Sequence, residues 1–157
     1  MLNLNVMLQK DFDELMKMEV QNYADEKVKA GTWTKEESLQ KSKEAFQQLL
    51  PDGLQTTHHF LLSLSNPETN DVVGYFWYHF DESHPQKEAF IYNFLIFEPY
   101  RGQGFGRRAL ESLEKHVKQQ GVKKLSLHVF AHNKRAIHLY QQAMYDVTDI
   151  NMSKYIG

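Results

Sequence analysis

Apolar and polar positions alternate at the start of the chain, where Asn3 and Asn5 separate Leu2, Leu4 and Val6, and this predicts a short strand with one apolar face. The period then changes. Phe12, Leu15, Met16 and Glu19 set a mixed face on a helix over about residues 12 to 29, with Gly31 close to its end. Thr34-Lys35-Glu36-Glu37 has the spacing of a capping box and opens a second helix; Leu39, Phe46, Leu49 and Leu50 supply its buried side, and Pro51-Asp52-Gly53 stops it. His59 to Leu64 and Val72 to Phe80 read as an antiparallel hairpin around the turn-rich Asn66 to Asp71.

After the polar turn Asp81 to Lys87, Ala89 to Phe97 is nearly continuous in apolar and aromatic residues, as expected of a strand covered on both faces at the sheet centre. Phe105, Ala109, Leu110, Leu113 and Val117 recur at helical spacing between Gly104 and Gln120, and Gly121 is placed to end that helix. Leu125, Leu127 and Val129 alternate with Ser126 and His128; a short helix over about Lys134 to Gln142 and a closing strand around Tyr145 to Lys154 follow. The predicted order is β-α-α-β-β-β-α-β-α-β, an α/β chain with a mixed sheet and no repeat.

With 157 residues and no Pro/Gly/Ser-rich divider, the chain is expected to fold as a single domain over residues 1 to 157. A net charge of -2 excludes the basic footprint of a nucleic-acid binder. No apolar stretch approaches the roughly 20 residues that span a bilayer, and Met1 to Asn5 lacks the basic and apolar regions of a signal peptide, so no membrane role is expected. The absence of cysteine removes disulfides and thiolate chemistry and is compatible with a reducing compartment; a cytoplasmic location is the expectation.

The chemistry concentrates between the long strand and the helix that follows it, at Arg101-Gly102-Gln103-Gly104-Phe105-Gly106. Glycines at a strand-to-helix junction can expose several backbone N–H donors at a helix mouth, which grips a diphosphate without a metal. Arg101, Arg107 and Arg108 can add charge-assisted donors, although each also suits a solvated surface. A nucleoside-triphosphate loop would need a Lys-Ser/Thr pair, which is absent, and a dinucleotide fold would place its glycines in the first parallel unit rather than after three earlier strands. A tight turn with no ligand is the remaining structural alternative.

In these residues the chain resembles the GNAT acyl-coenzyme A-dependent N-acyltransferases. Arg101 to Gly106 fits the family's Gln/Arg-x-x-Gly-x-Gly/Ala pyrophosphate motif after a strand, and Asn133 to Tyr140 is similar to its Asn-x-x-Ala-x-x-Leu/Phe-Tyr segment. Thr148 to Lys154 looks like its closing strand, so the resemblance covers about residues 72 to 154. It implies that the sheet splays between its fourth and fifth strands. Acetyl-coenzyme A would serve as acyl donor, with its diphosphate on residues 101 to 106, including Gln103 and Phe105, and its amide arm along Leu95, Ile96 and Phe97. Asn133 would lie nearby, and homodimerisation is a further expectation of the resemblance.

Transfer to an amine requires proton removal, since lysine-like amines have pKa values of about 10.4. By resemblance, Tyr140 is the proton donor to the coenzyme A sulfur and a backbone N–H near Leu95 polarises the thioester carbonyl. Tyr140 also fits half-buried packing, and Asn133 fits a helix N-cap. His128 is the candidate base, against the alternative of a structural or exposed histidine. Asn93 could orient a water or the acceptor, and Glu98 offers a carboxylate, although Glu98-Pro99 reverses the Pro-Glu order common in relatives. Tyr78, His79 and Asp81 are alternative acceptor-site residues.

Met144 stands where relatives carry a turn glycine, so that turn must change its dihedrals or bear strain. His128 and His132 lack a third metal ligand, and no metal is expected. The function expected is acetyl transfer from acetyl-coenzyme A to a small-molecule amine or a protein amino group by direct attack. The alternative is an acyl-coenzyme A-binding or regulatory module without catalysis.

Overall fold

The computed structural model describes all 157 residues, and four helices pack on the two faces of one five-stranded sheet. Helix α1 (Gln9–Lys29) carries Asp11 in its first turn and Lys27 and Lys29 in its last, complementing the helix dipole. Helix α2 (Lys35–Leu49) starts with the predicted reciprocal cap: Glu37 N–H donates to Thr34 Oγ1 at 3.4 Å and Thr34 N–H to Glu37 Oε1 at 3.2 Å. Strands β1 (Asn3–Val6), β2 (His59–Ser65), β3 (Val72–His79) and β4 (Glu88–Ile96) pair antiparallel in sequence order. Strand β5 (Lys124–Leu127) then adds parallel to β4.

Strand alternation divides the core. Tyr75 and Trp77 of β3 face α1 and α2 with Phe12, Leu15 and Leu61, while Phe76 and Tyr78 face the opposite way toward α3 (Phe105–Gln119) with Ala109, Leu110 and Leu113. Burying such side chains stabilises the fold by about 1.5–3 kcal/mol each. Helix α4 (Lys134–Gln142) lies against the second cluster through Leu139 and Tyr140.

Three expectations need correction. The sheet centre is β3, buried along nearly its whole length, and not the Ala89-to-Phe97 segment; β4 lies next to the edge and is only partly covered beyond Ile91. Strand β5 ends at Leu127, which leaves His128 and Val129 outside it. The closing strand at Tyr145 to Lys154 does not form, and Val147, Ile150 and Met152 are 63%, 75% and 91% exposed. Past α4 the chain is tied to α3 instead of β5: Tyr145 Oη donates to Glu114 at 3.0 Å, while Tyr145 N–H donates to Tyr140 C=O at 2.9 Å. Alternation marks a face, but a strand needs a partner as well.

The parallel ladder between β4 and β5 runs from Glu88 with Lys124 to Ile91 with Leu127, and there it stops. At that point the β3–β4 register slips. Trp77 opposes Asn93 but Tyr78 opposes Ile91, so Tyr92 is an extra, bulged residue. Tyr92 stacks on Trp77 with ring centroids 4.9 Å apart, which puts Tyr92 and Asn93 on the α1 face together. Beyond the bulge, Tyr92 to Ile96 continue without β5, and the sheet is open along that edge, as the expected splay between the fourth and fifth strands requires.

Gly74 permits the close approach of β3 to this stretch, because a Cβ there would lie 2.1 Å from the Leu95 carbonyl oxygen. Gly74→Ala should therefore displace β4 and lower the unfolding free energy by roughly 1–3 kcal/mol in urea titrations, the usual cost of overpacking.

Candidate functional site

Beyond β4 the chain makes a single helical turn at Glu98–Tyr100, with Pro99 supplying its fixed φ, and then enters the glycine loop. Gly102 and Gly104 take φ values of 76° and 81°, in the left-handed region, and no heavy atom lies within 4 Å of the Cβ that either lacks. Gly104 is the N-cap of α3 and contributes no side-chain cap; the first helical bond is from Arg108 N–H to Gly104 C=O at 3.3 Å. The backbone N–H groups from Gly102 to Arg107 consequently have no acceptor in the protein. Such a set of open donors at a helix mouth fits a diphosphate. Gly106 keeps the first turn thin, since a Cβ there would meet Leu139 Cδ2 of α4 at 3.4 Å.

The backbone of β4 has a definite polarity along the splayed edge. Phe97 N–H donates to Val73 C=O at 2.8 Å, so Phe97 and, by antiparallel alternation, Leu95 turn their polar groups toward β3. The edge facing the gap belongs to Phe94 and Ile96 instead. Two of its groups are held: Phe94 N–H donates to Asn93 Oδ1 at 2.9 Å, and Arg101 Nε donates to Ile96 C=O at 2.9 Å. The Phe94 C=O and Ile96 N–H remain for a ligand. The backbone groups that face the gap are therefore those of Phe94 and Ile96, one residue out of phase with Leu95 and Phe97, a phase that the bulge sets.

Other expected residues fall at varied distances from this edge. Tyr140, on α4, is half-buried against the α3 cluster, with the Tyr145 ring 5.6 Å away; burial pushes its hydroxyl up to about 12, and the hydroxyl makes no hydrogen bond within the protein. Asn133 caps α4 by accepting from Ala136 N–H at 3.2 Å. His128 is exposed just past β5, edge-on to Phe130, and its pKa is lowered by burial of part of its ring and then by Lys27. Glu98 and Arg107 are exposed, and Gln103 Nε2 donates back to Pro99 C=O at 3.3 Å. Tyr78 and His79 pair with Ile91 and Phe90, where β5 is still paired to β4, so with Asp81 they lie on the closed side of the splay. Met144 keeps a glycine-like φ of 71°, so the turn retains its left-handed form at a side chain's expense.

The structure adds a side chain that the helix pattern had placed only on a mixed face. Glu19 of α1 is 6% exposed and accepts from Asn93 Nδ2 at 2.6 Å. Beside it lies Tyr75, whose buried hydroxyl has no partner of good geometry. A cavity of about 390 Å³ opens next to them, lined by Glu14, Leu15, Met18, Gly74, Tyr75 and Phe97. The signal in the sequence was a carboxylate set among the apolar positions of a helix.

The chain is similar to known proteins along most of its length. Residues 20–144 match the model of the acetyltransferase (GNAT) family. The uncharacterized N-acetyltransferase YycN of Bacillus subtilis (strain 168) is 48% identical over 151 residues, covering 96% of each chain. A second uncharacterized N-acetyltransferase of that organism, YdgE, is 38% identical over 153 residues, covering 98% of this chain and 97% of its own. The crystal structure of YycN superposes with a TM-score of 0.95 at 46% identity, over 99% of both chains. No helix is long and apolar enough to cross a membrane, and no group of three or more His, Cys, Asp or Glu side chains is arranged to hold a metal.

Asn133→Ala should cost about 1 kcal/mol of stability through the lost cap, read as a lower Tm in thermal unfolding.

Proposed function

Because the chain belongs to the acetyltransferase (GNAT) family, we propose that it transfers an acetyl group from acetyl-coenzyme A to a primary amine by direct attack in a ternary complex. The observation that carries this reading is the row of unused N–H donors from Gly102 to Arg107, opening beside the unpaired edge of β4. Those donors would hold the diphosphate, with Arg101 and Arg107 adding charge at the rim and Asn133 close by. Ile96 N–H and Phe94 C=O would take the amide arm as a neighbouring strand would. When bound, acetyl-coenzyme A supplies a thioester carbonyl open to nucleophilic attack.

The protein's own contribution is orientation and proton handling. Tyr140, kept protonated at neutral pH by its burial, can give a proton to a departing thiolate. His128 and Glu98, the titratable side chains expected near the acyl end, are exposed, and no hydrogen bond orients either of them.

An acetyl-coenzyme A-dependent thiol-release screen over polyamines, amino acids, aminoglycosides and peptide N-termini, with product masses, tests the activity. Thiol release with a product 42 Da heavier, the roughly expected mass of one acetyl group in place of hydrogen, supports it; saturable binding without transfer to any amine would favour a non-catalytic acyl-coenzyme A module. Gly104→Asp should weaken acetyl-coenzyme A binding by about tenfold or more, measured by calorimetry on variant shown to be folded. Tyr140→Phe should lower kcat by roughly 100-fold or more while the acetyl-coenzyme A Kd stays unchanged.

A further inference from the structure

We propose that Glu19 is both the anionic receptor for the acceptor and the base that deprotonates it, with Asn93 as its positioning residue and an aliphatic amine, arriving as a cation, as the substrate class. This rests on the acetyltransferase reading.

Asn93 is the connection. Its Oδ1 accepts from Phe94 N–H on the open edge of β4 at 2.9 Å, while its Nδ2 donates to Glu19 Oε2 at 2.6 Å. One side chain thereby fixes a buried carboxylate relative to the backbone that faces the gap. Glu19 has no cationic partner: no Lys, Arg or His forms a salt bridge with it. Its polar neighbours are Asn93 from β4, Tyr75 from β3 and Asn22 from its own helix, and α2, packed on the same helix, adds no charged group. Buried carboxylates ordinarily have a cation or are neutralised, so this site is electrostatically incomplete.

The cavity makes the missing partner's chemistry specific. Asp11 and Glu14 stand along its lining, Leu15 lies one helical turn before Glu19, and Met18, Tyr75 and Phe97 supply apolar surface. An alkyl chain suits those walls, and its ammonium would reach Glu19, which is off the lining, at the Tyr75 end of the cavity, where that side chain is its neighbour. The buried Tyr75 hydroxyl, lacking a partner of good geometry, is a further polar group available to the acceptor nitrogen. Burial raises the pKa of Glu19 against the lowering effect of donation from Asn93, which makes it a stronger base than an exposed glutamate.

The proton balance is complete. Glu19 takes one proton from the ammonium, and the electron pair so freed forms the C–N bond to the acetyl carbon. The C–S bond breaks with its pair going to sulfur. Tyr140 delivers its proton to the thiolate; the second proton leaves nitrogen as the amide forms and passes through solvent to restore the Tyr140 hydroxyl, while Glu19 releases its own proton to solvent as the one net proton of the reaction.

Glu19→Gln preserves the shape and the acceptor for Asn93, so it separates charge from packing. Because the folded pKa is raised, the wild type loses stability as pH rises from about 4.5 through that higher value. Glu19→Gln should therefore have a Tm about 2–4 °C above wild type near pH 8, with the difference vanishing toward about pH 4. No difference at any pH would mean that the carboxylate carries no uncompensated charge and would overturn the proposal.

With the best aliphatic amine from the screen, Glu19→Gln should lose about 100-fold in kcat/KM and retain its acetyl-coenzyme A affinity. Asn93→Ala, which removes a donor that favours the ionised form, should move the acidic limb of the rate profile up by about one pH unit. A Glu19→Gln enzyme with wild-type rate and profile, or one that instead loses acetyl-coenzyme A affinity, would refute the assignment, as would a limb that disappears in His128→Gln and persists in Glu19→Gln. A wild type that transfers to no amine would refute the transferase reading itself, whatever the unfolding curves give.

Discussion

One extra residue in one strand governs the arrangement of the site. A parallel pair of strands holds its partners by evenly spaced bonds, and a strand cannot both keep that ladder and leave room for a ligand. The bulge at Tyr92 falls at the last rung between β4 and β5, and from there β4 follows β3 alone. It also resets which backbone groups face the gap and turns Asn93 toward α1. Stacking of Tyr92 on Trp77 and the close approach at Gly74 hold the bulged strand in place.

Two kinds of unsatisfied polarity border the resulting gap. At one side a helix mouth presents N–H donors with no protein acceptor; at the other a buried carboxylate lacks a cation. The first favours an anion and the second a cation, and both are costly to a chain that only folds. They belong to different layers of the molecule, α3 on one face and α1 on the other, and β4 is the element that touches both.

Much of this was legible in the sequence wherever the determinant is local. The capping box at Thr34 and Glu37, the Asn133 cap and the left-handed glycines at 102 and 104 are each specified within a few residues, and each forms as read. Long-range choices were not legible. A bulge requires knowing the register of two strands, and the apolar run from Ala89 to Phe97 is the same string whichever residue is extra. Glu19 and Asn93 are 74 positions apart, so no window contains both. The closing strand illustrates the opposite error: Thr148 to Met152 has the alternation of a strand, yet Tyr145 is anchored to Glu114 and the segment beyond pairs with nothing.

Buried charge also explains why the most central part of the fold is not built for stability alone. Replacing the Glu19, Asn93 and Tyr75 group with apolar side chains of similar volume would remove a desolvation cost and leave the two aromatic clusters intact. Hydrogen bonding from Asn93 reduces that cost but does not abolish it, since burial outweighs donation in setting the carboxyl's pKa. A protein of marginal stability keeps such a group where its charge is compensated during function, and the proposed cationic acceptor would supply that compensation. The same cation, once deprotonated, no longer matches the protonated carboxyl, so the attraction that draws the amine in weakens as the nucleophile forms. Binding energy and proton transfer are in this way two consequences of one unpaired charge.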